Sequence, residues 1–260
     1  MLQLDIDQKG IATLTLNRPD RHNAFDDELI AALHGHLEKI EADPAVRLVV
    51  LAANGKSFSA GADLNWMRRM SDYSEDENFE DAMQLANMLE RLDALRKPTI
   101  ARVQGHAFGG GVGLVACCDI AVAAGSAKFC LSEVRLGLMP SIISPFVVRA
   151  IGAREARRYF QTAERFDAEE AFRIGLVHRT VAPVALDDAV DEIIGNLLQG
   201  GPEAQSATKD FIALNDSTPI NKELLRDAAR RIANLRASDE GKEGLSAFLE
   251  KRSPGWRPDD

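Results

Sequence analysis

The sequence predicts an α/β fold that ends in a helical C-terminal portion, and three observations carry the prediction. Apolar runs with strand spacing alternate with helical periodicity through the first half of the chain. Two of those runs lead straight into glycine-rich turns, and helical spacing takes over from Arg154 onward.

Taken in order, residues 2–7 and 11–16 alternate apolar and polar side chains around a turn at Lys9 and Gly10, as paired strands do. Residues 26–42 switch to helical spacing. Residues 46–52 and 98–103 are nearly continuous aliphatic runs, the composition of strands covered on both faces. Helices are expected at 154–160, 168–174, 184–198, 202–214, 222–236 and 240–251, ahead of an SPGWRPDD tail that frays. The segment 68–78 is polar, acidic and poor in apolar residues, and is expected to be a mobile surface loop. No long low-complexity linker divides the chain, so it reads as one unit with a core over residues 1–195 and a helical portion over 196–260.

Composition narrows the function classes. With 45% hydrophobic and 27% charged residues, 260 residues are enough to bury a substantial core. No apolar run reaches the length of a membrane span, and the N-terminus lacks the basic start and cleavage site of a secretory signal, so a cytoplasmic protein without a membrane partner is expected. A net charge of −9 and the lack of a basic cluster with interleaved aromatics oppose binding to nucleic acid. Cys117, Cys118 and Cys130 form no even disulfide framework and read as buried thiols. His34 and His36, the one close histidine pair, point to different helix faces; neither a metal site nor a redox cofactor is expected.

The chemistry concentrates in two turns and one carboxylate. GHAFGGGVGL begins at residue 105 and places Gly109, Gly110, Gly111 and Gly113 at a helix start, where each interior glycine costs about 1 kcal/mol against alanine. GKSFSAGADLNWM, residues 55–67, is small-residue throughout positions 59–62. Neither turn carries a dinucleotide GxGxxG, and each alone is explained by tight helix-to-sheet packing. Together they offer free N–H groups that can converge on one developing negative charge, as an oxyanion hole requires. Glu133 follows among Cys130, Leu131, Val134 and Leu136, where apolar surroundings raise a carboxyl pKa toward the range useful for proton transfer. An ion pair with Arg135 or Lys128 is the alternative role.

SAGADL at 59–64, GHAFGGGVGLVACCDIAVA at 105–123 and LSEVRLGLMP at 131–140 resemble the enoyl-CoA hydratase/isomerase, or crotonase, family. LNRPDRHNAF at 16–25 and EGLSAFLEKRSP at 243–254 are similar to its two ends, so the resemblance covers almost the whole chain. It implies a spiral of ββα units with a helical C-terminal trimerisation portion, a homotrimer or dimer of trimers, and an acyl-CoA thioester as substrate, with coenzyme A part of that substrate and no separate cofactor. The backbone N–H groups of Ala62 and Gly110 match the family's oxyanion hole, and Glu133 matches a catalytic acid/base. Arg21, Ala24, Ala60, Asp63 and Leu64 match the coenzyme A channel. Phe248 and Lys251 match C-terminal positions that reach toward the adenine end.

One departure bears on the reaction. Hydratases of the family carry two glutamates, one matching Glu133 and the other falling at Gly113. A single carboxylate suits a double-bond shift, whereas the wording of 109–123 and 131–160 is similar to the bacterial branch of methylglutaconyl-CoA and isohexenylglutaconyl-CoA hydratases. That branch implies a branched or carboxylated acyl group, for which Gly113 is expected to leave room and Arg68, Arg69 and Arg135 to offer a counter-charge. SIIS at 141–144 replaces a small glycine-rich stretch and implies a differently shaped acyl pocket. An isomerase that uses Glu133 alone, or a noncatalytic acyl-CoA-binding member, is the alternative.

Overall fold

The computed structural model describes residues 1–257. β1 (Leu2–Ile6) and β2 (Ile11–Leu16) pair antiparallel around a turn in which the Asp7 carboxylate accepts from Lys9 N and Ile11 N, both at 2.9 Å. Gly10 makes this turn possible, with φ at +79° and Ala45 O filling the place of a side chain. The chain then repeats one unit. A strand of a larger sheet gives way to a short strand of a second sheet, and a helix follows.

In the first unit, β3 (Leu48–Ala53) and β4 (Ser57–Ser59) precede α2 (Leu64–Met70) and α3 (Glu75–Asp93). Next, β5 (Thr99–Val103) and β6 (His106–Phe108) precede α4 (Gly110–Cys117), and β7 (Ile120–Ala124) and β8 (Lys128–Cys130) precede α5 (Ser144–Thr162). The larger sheet has the order β1-β2-β3-β5-β7-β10 and the smaller β4-β6-β8-β9, where β9 is Phe166–Asp167 and β10 is Arg179–Val181. This is the expected α/β spiral.

Burial explains the continuous apolar runs. Along β3, Val49 and Leu51 join a core shared with α1 (Asp27–Ala42), α3, α4 and α5. Leu48 and Val50 face the other way and pack with Ile100 and Val122 against Leu186, Val190 and Ile194 of α7 (Leu186–Leu198). α6 is Ala168–Arg173, and α8 (Pro202–Ser217), α9 (Lys222–Ala237) and α10 (Asp239–Glu250) complete the chain. The passage from sheet-packed to peripheral helices falls at Gly200 and Gly201, just beyond α7. Among the described residues, no helix is long and apolar enough to cross a membrane.

Several expectations are corrected. The segment 68–78 is not a loop, because α2 runs to Met70 and α3 opens at Glu75 with a reciprocal cap: Ser74 Oγ accepts from Glu77 N, and the Glu77 carboxylate accepts from Ser74 N at 2.8 Å. Acidic residues Glu75, Asp76 and Glu77 favour a helix N-terminus, where their polar, acidic composition alone suggests a mobile surface loop. α5 begins ten residues earlier than its periodicity indicates, and Gly152, at φ +75°, kinks it. The tail is held rather than frayed through Trp256, whose Nε1 donates to Gln199 O at 3.1 Å while Arg47 donates to its carbonyl at 2.8 Å. Residues 258–260 of the tail lie outside the described residues.

Candidate active site

The turn between β4 and α2 reverses at Gly61, where φ is +86° and Phe108 O stands 3.2 Å from the place of a Cβ. On its far side the backbone is pinned by a parallel bridge: Phe25 N donates to Gly61 O and Asp63 N donates to Phe25 O, both at 2.7 Å. Alternating groups in such a bridge point opposite ways. Ala62 N–H therefore faces away from Phe25, and it meets no acceptor among the described residues.

The second turn joins β6 to α4. Gly109 takes φ +51° and ψ −119°, a conformation closed to side chains, and its N–H donates to Cys130 O at 2.9 Å. α4 then begins at Gly110, whose N–H is an unpaired donor of the helix start and has no acceptor among the described residues. A Cβ on Gly109 would stand 3.8 Å from Gly61 Cα, so the two turns touch. A side chain on Gly110 would meet the Phe25 ring at 3.2 Å, so this glycine admits Phe25 beneath the turn.

Glu133 completes the cluster. It begins a short 3-10 turn, Glu133–Leu136, closed by Gly137 in the left-handed region at φ +74°. Its Oε1 lies 3.1 Å from the Cβ position of Gly109, while Oε2 is buried without a hydrogen-bond partner. Burial pushes the carboxyl pKa above its ordinary value, opposed by a bond from its own backbone. The alternative ion pair does not form with Lys128, which lies 3.8 Å from Asp167 instead.

Gly113 is one turn along α4 from Gly109, and Gly113 N donates to Gly109 O at 3.3 Å. The space beside it is filled: Ile143 Cβ stands 3.0 Å from the place of a Gly113 Cβ, Ile143 Cγ2 is closer still, and Leu89 Cδ1 is at 3.7 Å. The room expected there for an acyl group is taken by the protein's own aliphatic side chains.

Arg21, Ala24, Ala60, Asp63 and Leu64, expected to line the coenzyme A channel, are brought side by side. Ala60 N donates to His22 O at 3.0 Å, and Arg21 lies 3.4 Å from the Asp63 carboxylate. Asp63 caps α2, accepting from Asn65 N at 2.8 Å. Burial pushes its pKa up, but the N–H groups of Asn65 and Trp66 and the nearby Arg21 and Arg18 outweigh burial and hold it below the ordinary carboxylate value. Beside these residues opens a cleft of about 570 Å³, lined by Arg18, Arg21, Asp26, Asp63, Asn65 and Arg69 among others. Ala24 is buried, whereas Leu64 is exposed at the start of α2.

Phe248 and Lys251 are not brought to this cluster within one chain. Phe248 is 81% exposed, and Lys251 ends α10, which packs chiefly on α9 and α8. Among the candidate counter-charges, Arg69 pairs with Asp27 at 2.5 Å and Arg68 donates to the Asn65 side chain at 2.7 Å. Arg135 is exposed and forms no ion pair among the described residues. The three cysteines are buried, and burial pushes the Cys118 thiol up to about 12.

Three contributors escaped the sequence. Asn23, fully buried with φ +54°, donates to Asn54 O and Ser57 O at 2.9 Å and accepts from Arg18 N at 2.7 Å, which docks the loop after β2 against the first turn. Phe25 provides the bridge. Ile143 had a signal in the SIIS stretch, but nothing local linked it to Gly113.

The profile of the enoyl-CoA hydratase/isomerase family matches residues 7–259. A crystal structure of an enoyl-CoA hydratase from Shewanella pealeana is 45% identical, with a TM-score of 0.95 over 98% of this chain and 95% of that one. A crotonyl-CoA hydratase of Syntrophomonas wolfei is 35% identical over 251 residues, 96% of this chain and 95% of the relative. The 2,3-dehydroadipyl-CoA hydratase of Escherichia coli is 31% identical over 253 residues, 96% of each chain.

Proposed function

Because this chain belongs to the enoyl-CoA hydratase/isomerase family, we propose that it hydrates an α,β-unsaturated acyl-CoA. The observation that carries this reading is the convergence of the half-buried Glu133, whose Oε2 is buried without a hydrogen-bond partner, with the unengaged N–H groups of Ala62 and Gly110. In the proposed reaction those N–H groups donate to the thioester oxygen. The Glu133 carboxylate takes a proton from water as the hydroxyl adds to the β carbon, and the double-bond electrons move onto the thioester oxygen. The resulting enolate is held by the two donors until protonated Glu133 returns its proton to the α carbon. One water is added and the carboxylate is restored. A carboxyl whose pKa is raised serves both steps at neutral pH.

The acyl group in this reading is branched or carboxylated, of the methylglutaconyl-CoA kind. The resemblance of residues 131–160 to that branch supports it, as does the likeness to a hydratase named for a dehydroadipyl chain. Arg135, two residues from Glu133 and outside the ion pairs of the described residues, is the candidate for a distal carboxylate. Assembly as a trimer or a dimer of trimers belongs to the same reading, supported by Leu245, Phe248 and Leu249 exposed along α10. Phe248 and Lys251 would then serve a neighbouring subunit's coenzyme A.

A second reading, double-bond isomerisation by Glu133 alone, is favoured by the aliphatic filling at Gly113. Crotonyl-CoA and 3-methylglutaconyl-CoA are to be offered in heavy-oxygen water. Labelled hydroxyacyl product, formed faster from the branched compound, is the expected result. A shifted double bond without label replaces hydration by isomerisation, and equal turnover of both substrates removes the branched-chain preference while leaving hydration in place.

A further inference from the structure

Gly113 lies in the middle of α4, outside the positive-φ glycines, so its backbone conformation does not call for glycine. Its neighbours do. Ile143 Cβ lies 3.0 Å from the place where a Cβ would project, its Cγ2 closer, and Leu89 Cδ1 closes the other side at 3.7 Å. Ile143 is 3% exposed and fixed at the start of α5, where its carbonyl accepts from Val147 N at 3.0 Å.

The catalytic contact lies at the start of the same helix. Glu133 Oε1 rests against Gly109, the residue that caps α4, and Ile143 rests against Gly113, one turn further on, where Gly113 N donates back to Gly109 O at 3.3 Å. Both ends of the segment 133–143 are thus seated on α4 through glycines. Isoleucine is branched at Cβ and holds few rotamers, so it makes a stiff surface where a longer unbranched side chain would yield.

We propose that Ile143 determines acyl specificity: seated in the space that Gly113 leaves, it forms an aliphatic wall beside the Glu133 carboxylate, limits the chain that can lie there, and denies room to a second carboxylate at position 113. The proposal rests on the acyl-CoA reading above and adds to it which residue selects the acyl group. It also makes positions 113 and 143 a coupled pair, in which a larger side chain at one requires a smaller side chain at the other.

The test uses butyryl-CoA and octanoyl-CoA, which bind without reacting, titrated calorimetrically into the full chain and its Ile143→Val and Ile143→Ala variants. The ratio of octanoyl to butyryl affinity is expected to rise about threefold in the valine variant and about tenfold or more in the alanine variant. Thermal unfolding supplies the coupling: Gly113→Glu is expected to lower Tm, and Gly113→Glu combined with Ile143→Gly to recover most of it. An unchanged affinity ratio in either folded variant, or a Gly113→Glu protein as stable as the parent, overturns the proposal. If the alanine variant does not fold, the valine ratio decides. A parent that binds neither thioester defeats the acyl-CoA reading itself, whereas a parent that binds both while its variants keep the parental ratio defeats this inference alone.

Discussion

Glu133 Oε1 stands 3.1 Å from the point where a Cβ on Gly109 would project. The carboxylate therefore rests on bare backbone at the lip of α4, beside the turn that exposes the Gly110 N–H. A glycine at 109 is what allows a charged group and a free donor to share so small a volume.

Replacing that carboxylate by an amide keeps its shape and removes its proton chemistry. Glu133→Gln is expected to lower kcat about 100- to 10,000-fold with the circular dichroism spectrum unchanged. Turnover within a few-fold of the parent would assign proton transfer to another group.

The same substitution has a pH signature in stability. Burial raises the folded-state pKa of Glu133 above its ordinary 4.5, so between those two values the folded protein holds a proton that the unfolded chain has released. Stability therefore falls as pH rises through that window, and the loss persists above it. Glu133→Gln removes this loss, so its Tm should match the parent near pH 4.5 and exceed it at pH 8. The acidic limb of the rate profile should likewise lie above pH 4.5, because the carboxylate form starts the reaction. A limb at or below 4.5, or a Tm difference that does not grow with pH, would contradict the buried-carboxylate account.

Gly109→Ala forces a side chain into φ +51°, ψ −119° and against Glu133. Strain of about 1–3 kcal/mol and a displaced carboxylate are expected, with kcat falling about 10- to 100-fold. Butyryl-CoA affinity should change much less. Equal losses in kcat and in affinity would point to a collapsed site instead of a misplaced acid.

Asp63 links the first turn to α2. Asp63→Ala removes the cap and the partner of Arg21, and should cost about 0.5–2 kcal/mol in stability while lowering kcat by misplacing Ala62 N–H. Asp63→Asn keeps the capping oxygen and should retain most of both. Unfolding and steady-state rates of the two variants, measured side by side, separate the cap from the charge; an asparagine variant as impaired as alanine would make the ion pair the important element.

The alternation of strand and helix was legible where β2, β3 and β5 declare themselves by spacing and by unbroken apolar runs, whereas the sheet order and the short strands of the second sheet have no such signal. The glycine turns and Glu133 were legible as chemistry because glycine at a helix start is costly and a lone carboxylate among apolar residues stands out. α2 and α3 were not: α2 is only seven residues long and carries Arg68 and Arg69 in its last turn, and α3 opens on Glu75, Asp76 and Glu77 while its buried residues, Met88, Leu89 and Leu92, come only near its end. Ile143 escaped for a different reason: the contact between residues 113 and 143 depends on how α4 and α5 cross, which local pattern does not encode. The anchored tail is the same case, with Arg47 and Trp256 separated by 209 positions.

That anchor supports the last prediction. Arg47 leaves the start of the β3 segment and donates to Gly200 O and to Trp256 O, both at 2.8 Å, so one guanidinium ties the sheet to both ends of the helical portion. Burial lowers its pKa and Glu240 raises it in part, which marks a cation held among few polar partners. Arg47→Ala leaves two carbonyls without their charged donor, and a loss of about 2–3 kcal/mol is expected from bonds of this type. The damage should be local in character: amide hydrogen exchange should quicken along α8 to α10 before it does in β3 or β5. Trp256→Ala should act in the same direction, because its indole N–H holds Gln199 O and its ring covers Gly244. Uniform acceleration across the sheet and the C-terminal helices in the Arg47 variant would mean that the guanidinium stabilises the whole core, and that the helical portion has no separate attachment here.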